Sequence, residues 1–450
     1  MASSSVKNIT IIGAGMVGSL LSIYLARRGY KVSIFERRPD MRTENIPAGR
    51  SINLALSDRG WRGLEGVGIE TEIRKIGIPM SGRIMHSISG DLTYQQYGEK
   101  DQAIYATSRG ILNCEMMNLA EKNGVKIHFN ERCAGIDLEH NTARFENTLT
   151  KISSSNSSDL IFGADGAFSA ARLQLQLTTE RFQYSQNYLE HAYKELMIPA
   201  GPGGEFQMEK HALHIWPRGG YMMIALPNLD GSFTVTLFFP FEGKDSFATI
   251  NNPSECLQFF NRVFPDAVKI MPTLTEDFFQ NPTGGLVTVK CFPWTYKDKM
   301  ALIGDSAHAI TPFYGQGMNC GFEDCTVLNS LIDQFDGDWN KILPEYQQAR
   351  KPNSDAIADL AVMNFIEMRD LVGSPQFLLQ KKIEARVHDK YPQKWLPLYS
   401  QVTFSSIPYA DALANGRRQQ SIMQEVMAMP EIDKRWDSSE VENFILQKIS

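Results

Sequence analysis

The chain has 450 residues, 43% of them hydrophobic and 21% charged, which is room for two or three domains around a substantial core. A formal charge of −6 supplies no broad basic footprint and argues against nucleic acid as a main partner. The six cysteines form no C-x-x-C pair and no metal-ligand spacing, which points to buried free thiols, a reducing cytoplasmic setting and no metal centre.

The first predicted element is a short apolar strand, 9–12, entered at once with no secretory signal ahead of it. It runs into Gly13-Ala14-Gly15-Met16-Val17-Gly18 and then a helical pattern carrying Leu20, Leu21, Tyr24 and Leu25. In that setting the glycines have separate tasks. Gly13 makes the tight turn, Gly15 lets backbone approach a pyrophosphate, and Gly18 packs helix on strand. The phosphate sits at the helix N-terminus, where free N–H groups and the dipole favour negative charge. A second strand, 31–35, ends in Glu36, placed for hydrogen bonds to an adenosine ribose. Arg37 and Arg38 follow in a loop and read either as a 2′-phosphate site or as solvated side chains near phosphates. Glu36 beside them repels a 2′-phosphate, which favours FAD as the resident dinucleotide.

Residues 79–98 read as a β-hairpin, with strands 83–88 and 92–97 around a turn at Ser89-Gly90-Asp91. That register sets Ile88 opposite Leu92 and Arg83 opposite Tyr97. Opposed side chains lie about 4.5–5.5 Å apart at Cβ, so a guanidinium and a phenol share one face. Two readings stand: a bidentate grip on a carboxylate, or an arginine stacked on a surface tyrosine. Ser108 is a candidate cap for a helix over 111–122, and Arg109 at its entry either touches a phosphate or is solvated. A strand is expected at 125–129 and a flexible loop at 153–158, after which Asp165-Gly166 opens a helix start at 167–172.

From about 184 to 288 the pattern becomes aromatic and alternating, which predicts a second, mostly antiparallel sheet. Phe238 and Phe239 are candidates for an apolar pocket on it. A buried strand over 300–305 leads into the glycine-dense stretch 311–321, where backbone is able to approach a planar ligand. A helix over 322–332 follows, its N-terminal dipole favouring an anionic group nearby. His308 is given no chemistry. The last hundred residues are helical in pattern. On 355–369, Ile357, Leu360, Ala361, Asn364 and Met368 share one face, so the Asn364 amide needs a partner: a backbone carbonyl or a substrate. Tyr399 is a second polar tip in apolar company. No apolar run is long enough to span a membrane, and the polar end of the chain predicts no membrane tail.

The expected fold is α/β. It has a Rossmann-like FAD-binding domain over 1–75, 100–180 and 285–345, a mostly antiparallel substrate-binding sheet domain over 76–99 and 181–284, and a C-terminal helical region over 346–450. No second glycine fingerprint follows, and Gly201-Pro202-Gly203-Gly204 lacks the strand–helix setting. NADPH is therefore expected to bind transiently, without a Rossmann unit of its own.

The separated signals Gly13-to-Gly18, Asp165-Gly166 and Gly304-Asp305 resemble the class A flavoprotein monooxygenases, the single-component FAD-dependent aromatic hydroxylases. Longer stretches narrow the resemblance to the kynurenine 3-monooxygenase branch. They are Gly49-Arg50-Ser51-Ile52-Asn53-Leu54-Ala55-Leu56-Ser57, Gly77-Ile78-Pro79-Met80, Leu213-His214-Ile215-Trp216-Pro217-Arg218, Pro312-Phe313-Tyr314-Gly315-Gln316-Gly317-Met318-Asn319, Asn364-Phe365-Ile366-Glu367-Met368-Arg369 and Pro397-Leu398-Tyr399. The resemblance covers the chain to about residue 410.

It implies FAD contacts at Val17, Glu36, Arg38, Ala55, Arg109, Cys133, Asp165, Asp305, Met318 and Asn319, with the helix start at Gly317 facing the flavin. It implies kynurenine contacts at Arg83, Tyr97, Asn364 and Tyr399, which favours the carboxylate-grip reading of the hairpin. The implied reaction hydroxylates L-kynurenine ortho to its ring amine with NADPH and O₂, the flavin carrying the chemistry and no side chain acting as catalytic base. Cys133 departs from the family pattern, where relatives often carry an apolar residue, so contact there is expected through backbone. The chain also lacks the hydrophobic anchoring tail of eukaryotic members, which implies a soluble bacterial-type enzyme. Two alternatives remain open at this point: a hydroxylase of another aromatic acid, and a FAD-holding redox sensor without turnover.

Overall fold

The computed structural model describes residues 6–43, 53–99, 101–371 and 374–449. The Gly49-to-Ile52 part of the resemblance lies outside these. A six-stranded sheet runs in the order Thr295–Tyr296, Met300–Leu302, Leu160–Gly163, Asn8–Ile12, Lys31–Phe35, Lys126–His128. Every pairing in it is parallel except that of the edge strand Thr295–Tyr296. Parallel strands are covered on both faces and so read as continuous apolar runs. Ile9, Ile11, Ile12, Leu160, Ile161 and Phe162 are all buried in one core with the helices Met16–Arg27 and Gly317–Gln334.

A seven-stranded sheet forms the second layer, ordered Thr283–Phe292, Gln183–Ile198, Phe233–Pro240, Met222–Pro227, Ala212–Pro217, Gly82–His86, Leu92–Gln96. It is antiparallel except where Ala212–Pro217 lies alongside Gly82–His86. The strand Thr283–Phe292 pairs into this sheet beyond residue 284, so sheet membership crosses the expected boundary. The helix Trp339–Ile366 likewise runs through the boundary expected at 346. One face of the sheet packs on the helices Pro253–Val263, Pro265–Val268 and Leu274–Gln280, around Phe239, Phe259 and Phe260. The other face, with Ile215, Met222 and Phe238, turns toward Phe313, Phe365 and Met368. Adjacent residues on a strand point to opposite faces, which separates Phe238 from Phe239.

Two expectations are corrected. The serine run forms a strand, Ser153–Ser157, antiparallel to Thr142–Asn147, rather than a loop. The reversal lies just before it, where the Asn147 carboxamide oxygen accepts from the N–H groups of Leu149 and Thr150 at 3.1 and 3.0 Å and Lys151 takes a φ of +63°. In the early hairpin, Arg83 pairs with Gln95 and His86 with Leu92, two residues away from the expected register. Gly90, with a φ of +92°, ends the loop instead of centring it, and Ser87 N–H donates to the Asp91 carbonyl at 3.0 Å. A left-handed glycine at the last position is the usual geometry of a three-residue hairpin loop. A slip of two keeps every side chain on its face, so Arg83 still points the same way.

Candidate functional site

One cavity of about 570 Å³ lies between the two sheets, and both groups of expected residues meet on its wall. At one end glycine turns shape the wall between the side chains. The strand Asn8–Ile12 stops at Gly13, whose φ is +104° and where a Cβ would stand 2.6 Å from the Ala164 carbonyl oxygen. A Cβ on Gly18 would stand 2.2 Å from the Gly13 oxygen, whereas one on Gly15 would meet nothing within 4 Å. The helix Met16–Arg27 therefore packs tightly behind its turn and leaves open space in front of it. Among the described residues no side chain caps that helix, so its first N–H groups stay available to an anion. The helix Gly317–Gln334 ends on the same cavity in the same way, uncapped, with open space at Gly317.

Glu36, Arg37, Arg38, Ala55, Arg109, Cys133, Asp165, Asp305 and Met318 line this end with Gly13, Gly15, Val17 and Gly317. Glu36 accepts from the N–H groups of Ala14 and Arg38 at 2.9 and 3.0 Å, and so ties the glycine turn to the second strand. The Asp165 carboxylate accepts from the Ala170 N–H at 2.7 Å and from the Ser169 hydroxyl, starting the helix Ala170–Thr178. Asp305 opens onto the cavity. The surrounding protein raises its carboxyl above the ordinary range, while Arg109 and His308 pull it down. Burial pushes the Cys133 thiol up to about 11, so it stays protonated.

Gly18 and Asn319 are not on the wall. Gly18 is needed for the close packing just described. Asn319 is wholly buried, accepting from Ser57 N–H at 3.0 Å and donating to the carbonyls of Ala55 and Gly315 at 2.8 and 2.7 Å. Its side chain holds the wall from behind. Behind it also lies a buried charge network. His308 Nε2 meets Asp324 at 2.6 Å, Arg350 reaches Asp324 and Glu323 at 2.6 Å each, and Arg59 reaches Glu323 at 2.5 Å. Burial opposes the charged imidazole, but Asp324 outweighs it and holds His308 protonated well above 6.5.

At the other end the wall is made of side chains from distant elements. Arg83, Tyr97, Asn364 and Tyr399 all line it, joined by Tyr314, Leu213, Ile215, Met222, Phe238 and Met368. The Tyr399 ring lies between two others, 5.1 Å from Tyr97 at 13° and 5.6 Å from Tyr314 at 16°. Burial raises all three phenols, and the Arg83 charge opposes that rise. Tyr399 reaches about 12, so the phenols are hydrogen-bond donors at neutral pH. Arg83 Nε donates to Gln95 Oε1 at 3.0 Å. Asn364 Nδ2 donates to the Phe313 carbonyl at 2.7 Å. The backbone partner expected for a buried amide is present, and the side-chain oxygen is left for the cavity.

Sequence reasoning missed Tyr314 and Met368 as wall residues and took Phe238 and Phe239 together. Strand alternation separates the two phenylalanines; Met368 was on the predicted stripe with Asn364. Tyr314, in a short 3₁₀ turn, carries no periodic signal.

A glycine turn after a parallel strand, two uncapped helix ends and an aromatic-walled chamber behind them define a FAD-binding oxidoreductase. The family of FAD-binding domains matches residues 6–361. Solved structures agree in fold. A 2-methyl-3-hydroxypyridine-5-carboxylic acid oxygenase aligns with a TM-score of 0.65 at 19% identity, over 82% of this chain and 95% of its own. A kynurenine 3-monooxygenase of Flavobacterium psychrophilum is 50% identical over 444 residues, 99% of each chain. One of Dictyostelium discoideum is 46% identical over 94% of this chain and 93% of its own. The chain belongs to the kynurenine 3-monooxygenase family.

Proposed function

We propose that this protein hydroxylates L-kynurenine to 3-hydroxy-L-kynurenine, with FAD bound and NADPH and O₂ consumed. The observation that carries the reading is that one cavity takes both groups of residues. Its glycine-turn end suits a dinucleotide, its far end sets a guanidinium beside three stacked phenols, and the chain matches the family over 99% of its length. The residues present fit FAD, since the cradle at Gly15 and Gly317 is open where any side chain would fill it.

Bound FAD supplies hydride acceptance and oxygen activation. Gly13, Gly15, Val17 and the open N–H groups of the first helix hold its phosphates, and Glu36 with Arg38 the adenosine end. Arg109, Asp165, Cys133 and Asp305 line the passage between, and Gly317 and Met318 present a helix N-terminus to the ring, where it favours negative charge. Gly18 and Asn319 support this wall from behind. Arg83 binds the amino-acid carboxylate of kynurenine, and Tyr97 and Tyr399 add hydrogen bonds. The Asn364 oxygen accepts from an amine. Leu213, Ile215, Met222 and Phe238 exclude water from the reacting ring. The ring amine activates the carbon that is hydroxylated, so no side-chain base is needed. The free cysteines suit a reducing cytoplasmic compartment.

The test is NADPH oxidation by purified yellow protein. Kynurenine accelerates it with stoichiometric 3-hydroxykynurenine. Acceleration by other aromatic acids alone overturns the substrate, and no response to any overturns turnover itself. No helix among the described residues is long and apolar enough to cross a membrane.

A further inference from the structure

Arg59 stands in the first turn of the helix Asp58–Glu65, off the cavity wall, with its side chain fully buried. A guanidinium cannot shed its charge, so burial requires that its donors and charge be matched. Its Nε donates to the Val402 carbonyl at 3.0 Å, and Nη2 donates to the carbonyls of Gln401, at 3.4 Å, and Ile407. Nη1 meets Glu323 at 2.5 Å, and the group lies 4.0 Å from the centre of the Tyr409 ring.

These partners are not scattered. Gln401 and Val402 lie in the last turn of the helix Leu398–Thr403, where carbonyls have no partner within the helix and a cation is favoured. Tyr399 stands in the first turn of that same short helix. Glu323 belongs to Gly317–Gln334, and Tyr409 Oη donates to Gln316 Oε1 at 2.8 Å, immediately before that helix begins. One side chain thus ties the helix that faces the cofactor to the helix that presents a phenol to the substrate.

We propose that Arg59 is a positioning residue. By gripping the C-terminal carbonyls of Leu398–Thr403 it sets the place of Tyr399 relative to the N-terminus of Gly317–Gln334, and so fixes how the aromatic substrate lies against the cofactor. This rests on the reading of Tyr399 as a substrate contact. Lysine at this position keeps the charge for Glu323 but, as a point donor on a flexible stem, does not reproduce the planar fork that reaches three carbonyls.

The experiment compares Arg59→Lys and Arg59→Met with the parent, as holoenzymes and without cofactor. Expected are normal FAD content, kynurenine binding weakened tenfold or more, and a larger share of NADPH oxidation ending in hydrogen peroxide. Without cofactor, hydrogen exchange should quicken at amides 398–407 and not in the strand Asn8–Ile12. Tyr399→Phe should matter less in the Arg59→Lys background than in the parent, because the phenol is already misplaced. Binding and exchange at parental values, or additive effects of the two substitutions, overturn the proposal. So does failure of both variants to fold, which would make Arg59 a folding residue only. A parent that does not bind kynurenine refutes the proposed function instead, and the exchange measurement still decides the grip.

Discussion

At the end of the cavity proposed for the cofactor, glycine turns shape the wall between the side chains: a Cβ on Gly13 would clash, Gly15 and Gly317 face open space, and two helix N-termini carry no side-chain cap among the described residues. At the substrate end it is side chains, with Arg83 and Tyr97 from one hairpin, Tyr314 from a turn, Asn364 from a long helix and Tyr399 from a short one. At the first, Gly13 and the Gly18 behind it tolerate almost no change, because the backbone against them cannot move aside. The second is adjustable, since each contact is one tip among several.

Substitutions at the two ends test that contrast. The largest effect is expected at Gly18→Ala, where the new Cβ would sit 2.2 Å from the Gly13 oxygen. Purified variant should carry little or no flavin by absorbance, and overpacking should lower stability by about 1–3 kcal/mol or more. Full flavin content would break the claim that this wall is rigid. Arg83→Ala should keep FAD but weaken kynurenine binding by about 2–5 kcal/mol, the usual consequence of removing one partner of a buried charged pair. Titration of flavin absorbance with kynurenine reads it, and unchanged affinity would remove Arg83 from the site.

His308, behind the cofactor wall, gives an effect that depends on pH. Its folded value is raised well above 6.5, so its contribution to stability is full below about 6.5 and is lost as pH rises toward the folded value. The stability difference between parent and His308→Gln should shrink by about 1.4 kcal/mol per pH unit over that window. Denaturant melts at pH 6, 7 and 8 check the slope, and a constant difference would mean that the imidazole is neutral. Smallest is Tyr399→Phe, which removes one hydrogen bond and keeps the ring stack. A loss of about 0.5–1.5 kcal/mol in kynurenine binding is expected, with FAD retained.

The glycine turn was legible because strand, turn and helix are consecutive, Gly13 and Gly18 answer to backbone neighbours, and Gly15 to open space. Arg83 and Tyr97 were legible as a pair, although the register placed Arg83 against Gln95, because a slip of two preserves the face. Asn319 was placed at the entry to the late helix, yet its amide turned inward, to Gly315 nearby and to Ser57 and Ala55, a choice made by a segment about 260 residues away in sequence. Tyr314 was passed over because nothing local distinguishes it.

From the order of its residues alone this chain determined a dinucleotide-binding strand–turn–helix, a second antiparallel sheet and a helical end, for these follow from short-range sterics and from the period of apolar positions. The tertiary structure alone decided that Tyr97, Tyr314 and Tyr399 stack beside one arginine. It alone decided that Arg59 closes the last turn of a helix more than three hundred residues further along the chain. Contacts of that kind depend on how remote elements pack, and a pattern within any one of them carries no record of its neighbours.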